Sequence, residues 1–166
     1  AFKATNGFSK IHPGEDPDLS QRILKAGFKT TFIPNAFVYH KRRATWKKFY
    51  IQVKKFGLVR PILNKWHPKA AKITFWFPTF FVLFTIASIL CSSLISLLYI
   101  FPLGGYVFLI FIDSSIKNKN LLIGVMSVWA MFVQFFGYGL AFLKSNFFIH
   151  GLNKEPEKQF PKLFFK

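Results

Sequence analysis

Two long runs without a charged residue constrain the fold of this chain more than any other feature. The first extends from Ile73 to Ile112 and the second from Leu121 to Leu143. A helix that spans a membrane needs about 20 predominantly apolar residues, so the first run has room for two spans and the second for one more. The Pro-Leu-Gly-Gly sequence at 102–105 supplies a break or turn within the first run. The sequence therefore predicts two to three transmembrane α-helices, and three are favoured.

The distribution of charge orients these spans. The net charge of +17 favours a polyanionic partner such as anionic lipid, nucleotide phosphates or nucleic acid, and the membrane segments argue against nucleic acid. Eleven basic residues and no acid lie between Lys41 and Lys72, so the positive-inside rule places that segment in the cytoplasm. Three spans would place Lys117 and Lys119 in the cytoplasm as well and the basic tail on the opposite side. Two spans would place the tail in the cytoplasm and the two lysines on the opposite side.

The chain divides into four segments on this basis. We expect an α/β segment at 1–44, a basic amphipathic interfacial segment at 45–72, a transmembrane region at 73–143 with spans at about 73–97, 98–112 and 121–143, and a basic tail at 144–166. The chain begins at Ala1, and its first residues are typical of the middle of a folded unit. We therefore expect it to be a C-terminal piece of a longer protein.

The first segment alternates helix and strand signals. Asp16 is typical of a helix cap, followed by a proline at the first helical position and by Gly27 at the end of the helix. Thr30–Ile33 and Ala36–His40 have the composition of two short strands around a Pro-Asn turn. From Trp46 onwards, aromatic and apolar residues recur at helical spacing with lysines on the other faces, which predicts an amphipathic helix at the membrane surface. The pattern before Trp46 predicts an α/β fold.

Three of the six acids of the chain, Glu15, Asp16 and Asp18, lie within four residues at the start of the first helix. One interpretation is structural, in which Asp16 caps the helix and Asp18 complements the helix dipole. The other is catalytic, in which one carboxylate removes the proton of an acceptor hydroxyl, as a general base must. Both hold together if a capping aspartate exposes one oxygen.

The basic and polar residues that follow also have two interpretations each. His40 is either a structural hydrogen-bonding residue or a ligand of a divalent metal or a phosphate. The basic triplet 41–43 either holds a diphosphate by charge and bidentate hydrogen bonds or contacts lipid headgroups. Gln52 and Arg60 either form a polar face of the amphipathic helix or contact the acceptor or the diphosphate.

Several motifs, taken in order, resemble those of a known family. They are Ala4-Thr5-Asn6-Gly7-Phe8, Gly14-Glu15-Asp16-x-Asp18-Leu19-Ser20-x-Arg22, Ala26-Gly27-Phe28, Val38-Tyr39-His40, Phe49-x-x-Gln52-x-x-x-Phe56-Gly57-x-x-Arg60, Trp76-x-Pro78 and Phe136-Gly137-Tyr138-Gly139-x-x-Phe142-Leu143-Lys144. The first four resemble the C-terminal half of the catalytic domain of family 2 glycosyltransferases with a GT-A fold. The others resemble the membrane-attached bacterial members of that family.

The resemblance implies transfer of a sugar from a nucleotide-sugar donor to a lipid-linked or membrane-emerging glycan acceptor. The reaction would serve cell-surface polysaccharide or glycolipid synthesis at the cytoplasmic face of the bacterial inner membrane. Asp16 would be the catalytic base, Glu15 would support acceptor binding, and His40 would help hold the metal or diphosphate. The residues expected to bind substrate are Asp18, Arg22, Lys41, Arg42, Arg43, Gln52 and Arg60.

The chain departs from the family pattern in two ways. It lacks the nucleotide-binding half with the Asp-x-Asp segment that binds Mg²⁺ or Mn²⁺, so most of the metal site is expected elsewhere and the chain alone is expected to be inactive. Gln52 is followed by Val53-Lys54-Lys55-Phe56, which does not complete the Gln-x-x-Arg-Trp motif of processive synthases and favours transfer of a single sugar.

Two rival classes of function make different predictions. A non-catalytic membrane anchor or interaction subunit with a basic lipid-binding face would tolerate neutralisation of the three clustered acids. A transporter or channel component would carry ionisable residues within its spans. The two apolar runs carry no Asp, Glu, Lys, Arg or His, which counts against a transporter.

Overall fold

The computed structural model describes residues 1–40 and 45–165, and most of them are helical. The α-helices of the described residues are α1 (Glu15–Lys25), α2 (Trp46–Trp66), α3 (Phe77–Leu94), α4 (Phe101–Asn118), α5 (Leu121–Asn146) and α6 (Pro156–Gln159). Short 3-10 turns cover Lys3–Thr5, Pro68–Ala70, Ile73–Trp76, Leu97–Ile100 and Pro161–Leu163, and a single π-helical turn, Phe147–Gly151, continues α5.

The central helix is α5, because α2, α3 and α4 all pack on it. Three segments of the described chain are long and apolar enough to cross a membrane, namely Ile73–Leu94, Leu97–Asn118 and Leu121–Gly151. They contain α3, α4 and α5, respectively. The sequence predicted two to three transmembrane helices, and the described residues contain three helices that are long and apolar enough to cross a membrane.

Glycines allow the neighbouring helices to approach α5 closely. A Cβ atom added at Gly139 would lie 2.6 Å from the carbonyl oxygen of Pro78, and the Thr79 hydroxyl donates a 3.0 Å hydrogen bond to the Gly139 carbonyl. A Cβ at Gly137 would lie 2.7 Å from Cγ2 of Val53. Small residues at these positions thus fix α3 and α2 against the C-terminal half of α5, as small residues commonly do between membrane helices.

The predicted α/β fold, and with it the GT-A-like sheet, is wrong. Residues 1–40 and 45–165 form no β-strand, and their one isolated bridge pairs Ile11 with Phe164. Thr30–Ile33 and Ala36–His40 have strand propensity, but a strand also needs a neighbour that completes its ladder of hydrogen bonds. The segment is exposed instead, with Phe32 84% and Tyr39 96% accessible, and the described residues place no strand beside it.

The N-terminal residues and the C-terminal tail meet on α2. The His12 N–H donates a 2.7 Å hydrogen bond to the Leu163 carbonyl, and the Phe165 N–H donates a 2.8 Å bond to the Lys10 carbonyl. The buried cluster beneath this contact contains Ile11, Val59, Ile62, Leu63, Ile149 and Leu163. The segment that leads into α1 is therefore held in place by α2, the end of α5 and the tail together.

Candidate active site

A cavity of about 550 Å³ lies between the start of α1 and one face of α2. Four residues that the sequence singled out line it: Glu15 and Asp16 from α1, and Gln52 and Arg60 from α2. They come from segments some forty residues apart in the sequence, and the packing of α1 on α2 brings them together. Their shared position does not by itself test the roles predicted for them.

The start of α1 differs from the prediction in a way that affects Asp16. Gly14, with φ 131°, occupies the N-cap position, in a region of backbone space that favours glycine. A Cβ there would also lie 2.6 Å from Cγ1 of Val59. The predicted cap role of Asp16 is therefore wrong, because Gly14 takes that position. The Asp16 side chain is exposed at the first turn and lines the cavity.

Glu15 forms the second acidic group of the cavity. Its Oε1 lies 2.9 Å from Nδ1 of His12, a residue that the sequence analysis did not single out. Burial by itself raises the pKa of Glu15, but hydrogen bonds from the backbone at the helix start and from His12 outweigh burial and lower it below its usual range. A carboxylate that stays ionised accepts hydrogen bonds, which suits Glu15 to orient a hydroxyl group and not to donate a proton.

The wall opposite the acids is cationic. Lys48, Lys55 and Arg60 line the cavity from α2, and the guanidinium of Arg60 lies 4.3 Å from the ring centroid of Phe75. A cation over an aromatic face is attracted to it, which restrains the direction of Arg60. From the sequence, Lys48 and Lys55 were only two of the lysines on the polar faces of a predicted helix at the membrane surface. Lys48 lies four residues before Gln52 and Lys55 three residues after it, so all three share one face of α2. This spacing is the sequence signal that would have identified the two lysines as residues of the cavity.

Asp18 lies outside this cavity, in a buried network that joins α1 to the end of α2. Its Oδ1 accepts a 2.7 Å hydrogen bond from Nε2 of His67, and its Oδ2 accepts a 2.9 Å bond from Nε of Arg22. Lys25 Nζ lies 2.8 Å from Nδ1 of His67. An ammonium group only donates, so Nδ1 is the acceptor and the proton of this neutral ring is on Nε2. We call these four residues the Asp18 network.

Arg22 extends the Asp18 network to the N-terminal segment. Its guanidinium donates hydrogen bonds to the carbonyl oxygens of Thr5 and Gly7. Neither Asp18 nor Arg22 is among the residues that line the cavity, so their predicted substrate contacts gain no support from their position. His67, which anchors the network, was not singled out, because its partner is 49 residues away in the sequence.

The Asp18 network predicts a specific dependence of stability on pH. Burial raises the pKa of Asp18, but the hydrogen bonds from His67 and Arg22 and the charge of Arg22 lower it below its usual range of about 3.9. A carboxyl group whose pKa is lower in the folded state than in the unfolded state stabilises the fold at pH values above its unfolded-state pKa. This stabilisation is lost as the pH falls through the folded-state pKa. We therefore expect the difference in thermal midpoint between wild type and Asp18→Asn to stay constant from pH 8 to about pH 5 and to shrink below about pH 4. A difference that instead shrinks between pH 8 and 6 would contradict this.

The remaining predicted residues lie elsewhere. His40 is exposed and is not among the residues that line the cavity. Lys41, Arg42 and Arg43 lie outside the described residues, so their predicted contact with a diphosphate stays a prediction. Among residues 1–40 and 45–165, no three His, Cys, Asp or Glu side chains cluster closely enough to hold a metal ion.

The cavity combines two chemical capabilities. An exposed carboxylate on one wall is able to accept a proton, while three cations on the other are able to hold an anionic group such as a phosphate. Gln52 lies on the same wall as the cations and offers both a donor and an acceptor. This arrangement suits a reaction in which a hydroxyl group loses a proton beside a negatively charged leaving group.

Comparison with known proteins gives one finding. The family model described as "Glycosyl transferase family group 2" matches residues 1–144, which is most of the chain. The match includes both walls of the cavity and the three apolar helices up to the C-terminal part of α5. No curated protein and no solved structure matches the chain.

Proposed function

Because the chain belongs to the glycosyl transferase family group 2, we propose that it transfers a sugar from a nucleotide-sugar donor to a hydroxyl acceptor. The observation that carries this proposal is the cavity, in which the exposed Asp16 carboxylate faces Lys48, Lys55 and Arg60. A transfer of this kind needs a proton acceptor next to the hydroxyl and positive charge next to the diphosphate. The two walls supply one each.

In this mechanism, the oxygen of the acceptor hydroxyl attacks the anomeric carbon of the donor, and Asp16 accepts the proton of that hydroxyl. A bond forms between that oxygen and the anomeric carbon, and the bond from the anomeric carbon to the diphosphate oxygen breaks. The nucleoside diphosphate leaves with the bonding electrons. Cations placed where this negative charge develops lower the barrier, which is the role we assign to Lys55 and Arg60.

A second cavity supports an acceptor that arrives from the membrane. It has a volume of about 400 Å³ and is lined by Val53, Phe56, Arg60, Thr74, Phe75, Pro78, Gln134 and Tyr138. Phe56 and Arg60 line both cavities, so the two adjoin at these side chains. The second cavity lies between α2, the start of α3 and α5, and two of these elements belong to segments long and apolar enough to cross a membrane. A lipid-linked or membrane-emerging glycan would reach Asp16 along this path.

The finer assignments rest on the sequence. The basic residues between α1 and α3 favour the cytoplasmic side for this part of the chain. The resemblance to membrane-attached bacterial members of the family implies a bacterial inner membrane and a role in cell-surface polysaccharide or glycolipid synthesis. The incomplete motif after Gln52 favours transfer of a single sugar. A divalent ion, if the reaction uses one, would have most of its ligands outside the described residues.

An assay of donor turnover tests the proposed function. The full-length protein in membranes is incubated with a panel of nucleotide sugars, with Mg²⁺, Mn²⁺ or a chelator, and release of nucleoside diphosphate is followed with and without membrane lipid extract. We expect release that depends on the extract with at least one donor. If nucleoside diphosphate release stayed at background with every donor, with or without the extract, the result would contradict the proposal. It would favour a non-catalytic anchor with a basic lipid-binding face.

A further inference from the structure

The beginning of α3 and the end of α5 lie at the same level of the helix bundle. The rings of Trp76 and Phe142 contact each other with their centroids 5.0 Å apart, and the Thr79 hydroxyl bonds to the Gly139 carbonyl at 3.0 Å. In the same region, Phe77 packs edge-to-face on Phe135 at 5.5 Å. The chain therefore enters the apolar region at Trp76 and leaves it near Phe142 on the same side.

The other end of α5 lies on the opposite side. The stretch 121–142 of α5 rises about 33 Å, at 1.5 Å per residue, which matches the hydrocarbon thickness of about 30 Å. If Phe142 is at one face of the membrane, the turn at Lys119 and Asn120 that precedes α5 is at the other. This turn is polar, and its sequence from Lys117 to Asn120 is Lys-Asn-Lys-Asn, as expected of a loop in water.

The path from Trp76 to Lys119 therefore makes one net crossing, although it contains two helices of spanning length, α3 and α4. The helix that crosses is α4, because it pairs antiparallel with α5 along the hairpin. Ser114 and Ser127 are in hydroxyl contact at 2.6 Å near the tip. Further from the tip, Leu103 shares a buried cluster with Met131 and with Phe81 of α3. The start of α4 is thus on the same side of the bundle as the start of α3.

We infer that the chain crosses the membrane twice, through α4 and α5, and that α3 enters the leaflet on its own side without reaching the opposite face. Three complete crossings would separate Trp76 from Phe142 by the thickness of the membrane, and the 5.0 Å contact between their rings excludes that. This inference concerns topology alone and does not depend on the proposed transfer reaction.

The turn between α3 and α4 has the properties of a segment that remains in lipid. Its exposed residues are apolar, with Leu94 80% and Ile95 69% accessible, and it carries no charge. The hydroxyls of Ser92 and Ser93 donate to backbone carbonyls one turn earlier, at 2.8 and 3.0 Å. The N–H groups of Ile95 and Ser96 both donate to the Cys91 carbonyl. These hydrogen bonds pair polar groups of the turn that would be costly to leave unpaired in lipid.

This topology places the site and the tail together. The C-terminal tail is on the same face as α1, which agrees with the hydrogen bonds between residues 10–12 and residues 163–165. The start of α3, with Phe75 and Pro78 in the wall of the second cavity, then lies just below that face. With α3 in the leaflet on this side, the opening of the second cavity would lie at the level of the lipid headgroups.

Cysteine labelling tests the inference. In the Cys91→Ser background, which removes the single native cysteine, the variants Lys10→Cys, Ser93→Cys, Lys119→Cys and Lys158→Cys each introduce one thiol at an exposed position. Sealed vesicles of both orientations are treated with a membrane-impermeant maleimide. We expect Lys10→Cys and Lys158→Cys to react from one face, Lys119→Cys from the other, and Ser93→Cys only after detergent is added.

Three crossings would give a different pattern. Lys158→Cys would react from the face opposite to Lys10→Cys, Lys119→Cys from the same face as Lys10→Cys, and Ser93→Cys from the opposite face in intact vesicles. Any one of these three results would overturn the inference. Labelling of all four variants in detergent shows that each thiol is reactive and that each variant was produced.

Discussion

The Asp16→Asn variant is expected to lose transfer activity by about 10²–10⁴-fold in kcat, the usual contribution of a general base. Asparagine has nearly the same shape and is able to contact the same hydroxyl, but it does not accept the proton. Binding of the donor does not involve this proton, so the donor KM is expected to change little. The measurement is the steady-state rate of nucleoside diphosphate release at saturating acceptor.

Two variants serve as controls for Asp16. Asp113→Asn removes an aspartate whose ion pair with Lys117 is exposed and lies near the far end of α4, and it is expected to retain wild-type kcat. Glu15→Gln keeps a hydrogen-bonding group in the cavity, and it is expected to raise the acceptor KM more than it lowers kcat. If Asp16→Asn retained kcat within about threefold, a small change on the scale of general-base effects, Asp16 would not be the base.

The Asp18→Ala variant is expected to have the largest effect on stability. Asp18 is 3% exposed and accepts hydrogen bonds from both His67 and Arg22. The variant leaves the buried His67 N–H without an acceptor, which costs about 1–3 kcal/mol, whereas Arg22 is 26% exposed and keeps its bonds to the carbonyls of Thr5 and Gly7. We expect amide hydrogen exchange in α1 to accelerate by roughly 10–10²-fold, the equivalent of that free energy, while exchange in α4 and α5 stays near wild type.

Asp113→Ala is the matched control for Asp18→Ala. Both aspartates pair with a basic residue four positions later in a helix, but Asp113 and Lys117 lie near the polar turn that ends α4 and are not buried by other residues, with 62% and 72% of their side chains accessible. Exposed pairs contribute little, so exchange in α4 is expected to be unchanged. Equal effects of the two variants would show that the Asp18 network does not hold α1 on α2.

Local sequence patterns predicted the parts of the fold that depend on neighbouring residues. The periodic aromatic and apolar residues from Trp46 onwards correspond to α2, whose N-cap is Thr45. The uncharged runs correspond to three helices of spanning length. Glu15, Asp16, Gln52 and Arg60, chosen for their chemistry, do line one cavity. Each of these predictions uses a period or a motif that lies within one element.

The predictions that failed depend on distant residues. The strand signals at 30–33 and 36–40 did not lead to strands, because no partner strand lies beside them among the described residues. The buried contact of Asp18 with His67 was not predicted, because the two residues are 49 positions apart in the sequence. The contact of Trp76 with Phe142, which determines the topology, joins residues from different apolar runs. Charge counting alone had left two and three spans both open, with three favoured.

The measurement that most directly tests the assignment as a glycosyltransferase is the stoichiometry of transfer. The full-length protein in membranes is given a nucleotide sugar labelled in the sugar, and both the labelled glycan or glycolipid product and the released nucleoside diphosphate are quantified. We predict one labelled sugar in product for each nucleoside diphosphate released, and the loss of both in Asp16→Asn. Release of the diphosphate with the label recovered as free sugar, or equal transfer by wild type and Asp16→Asn, would contradict transfer at this cavity.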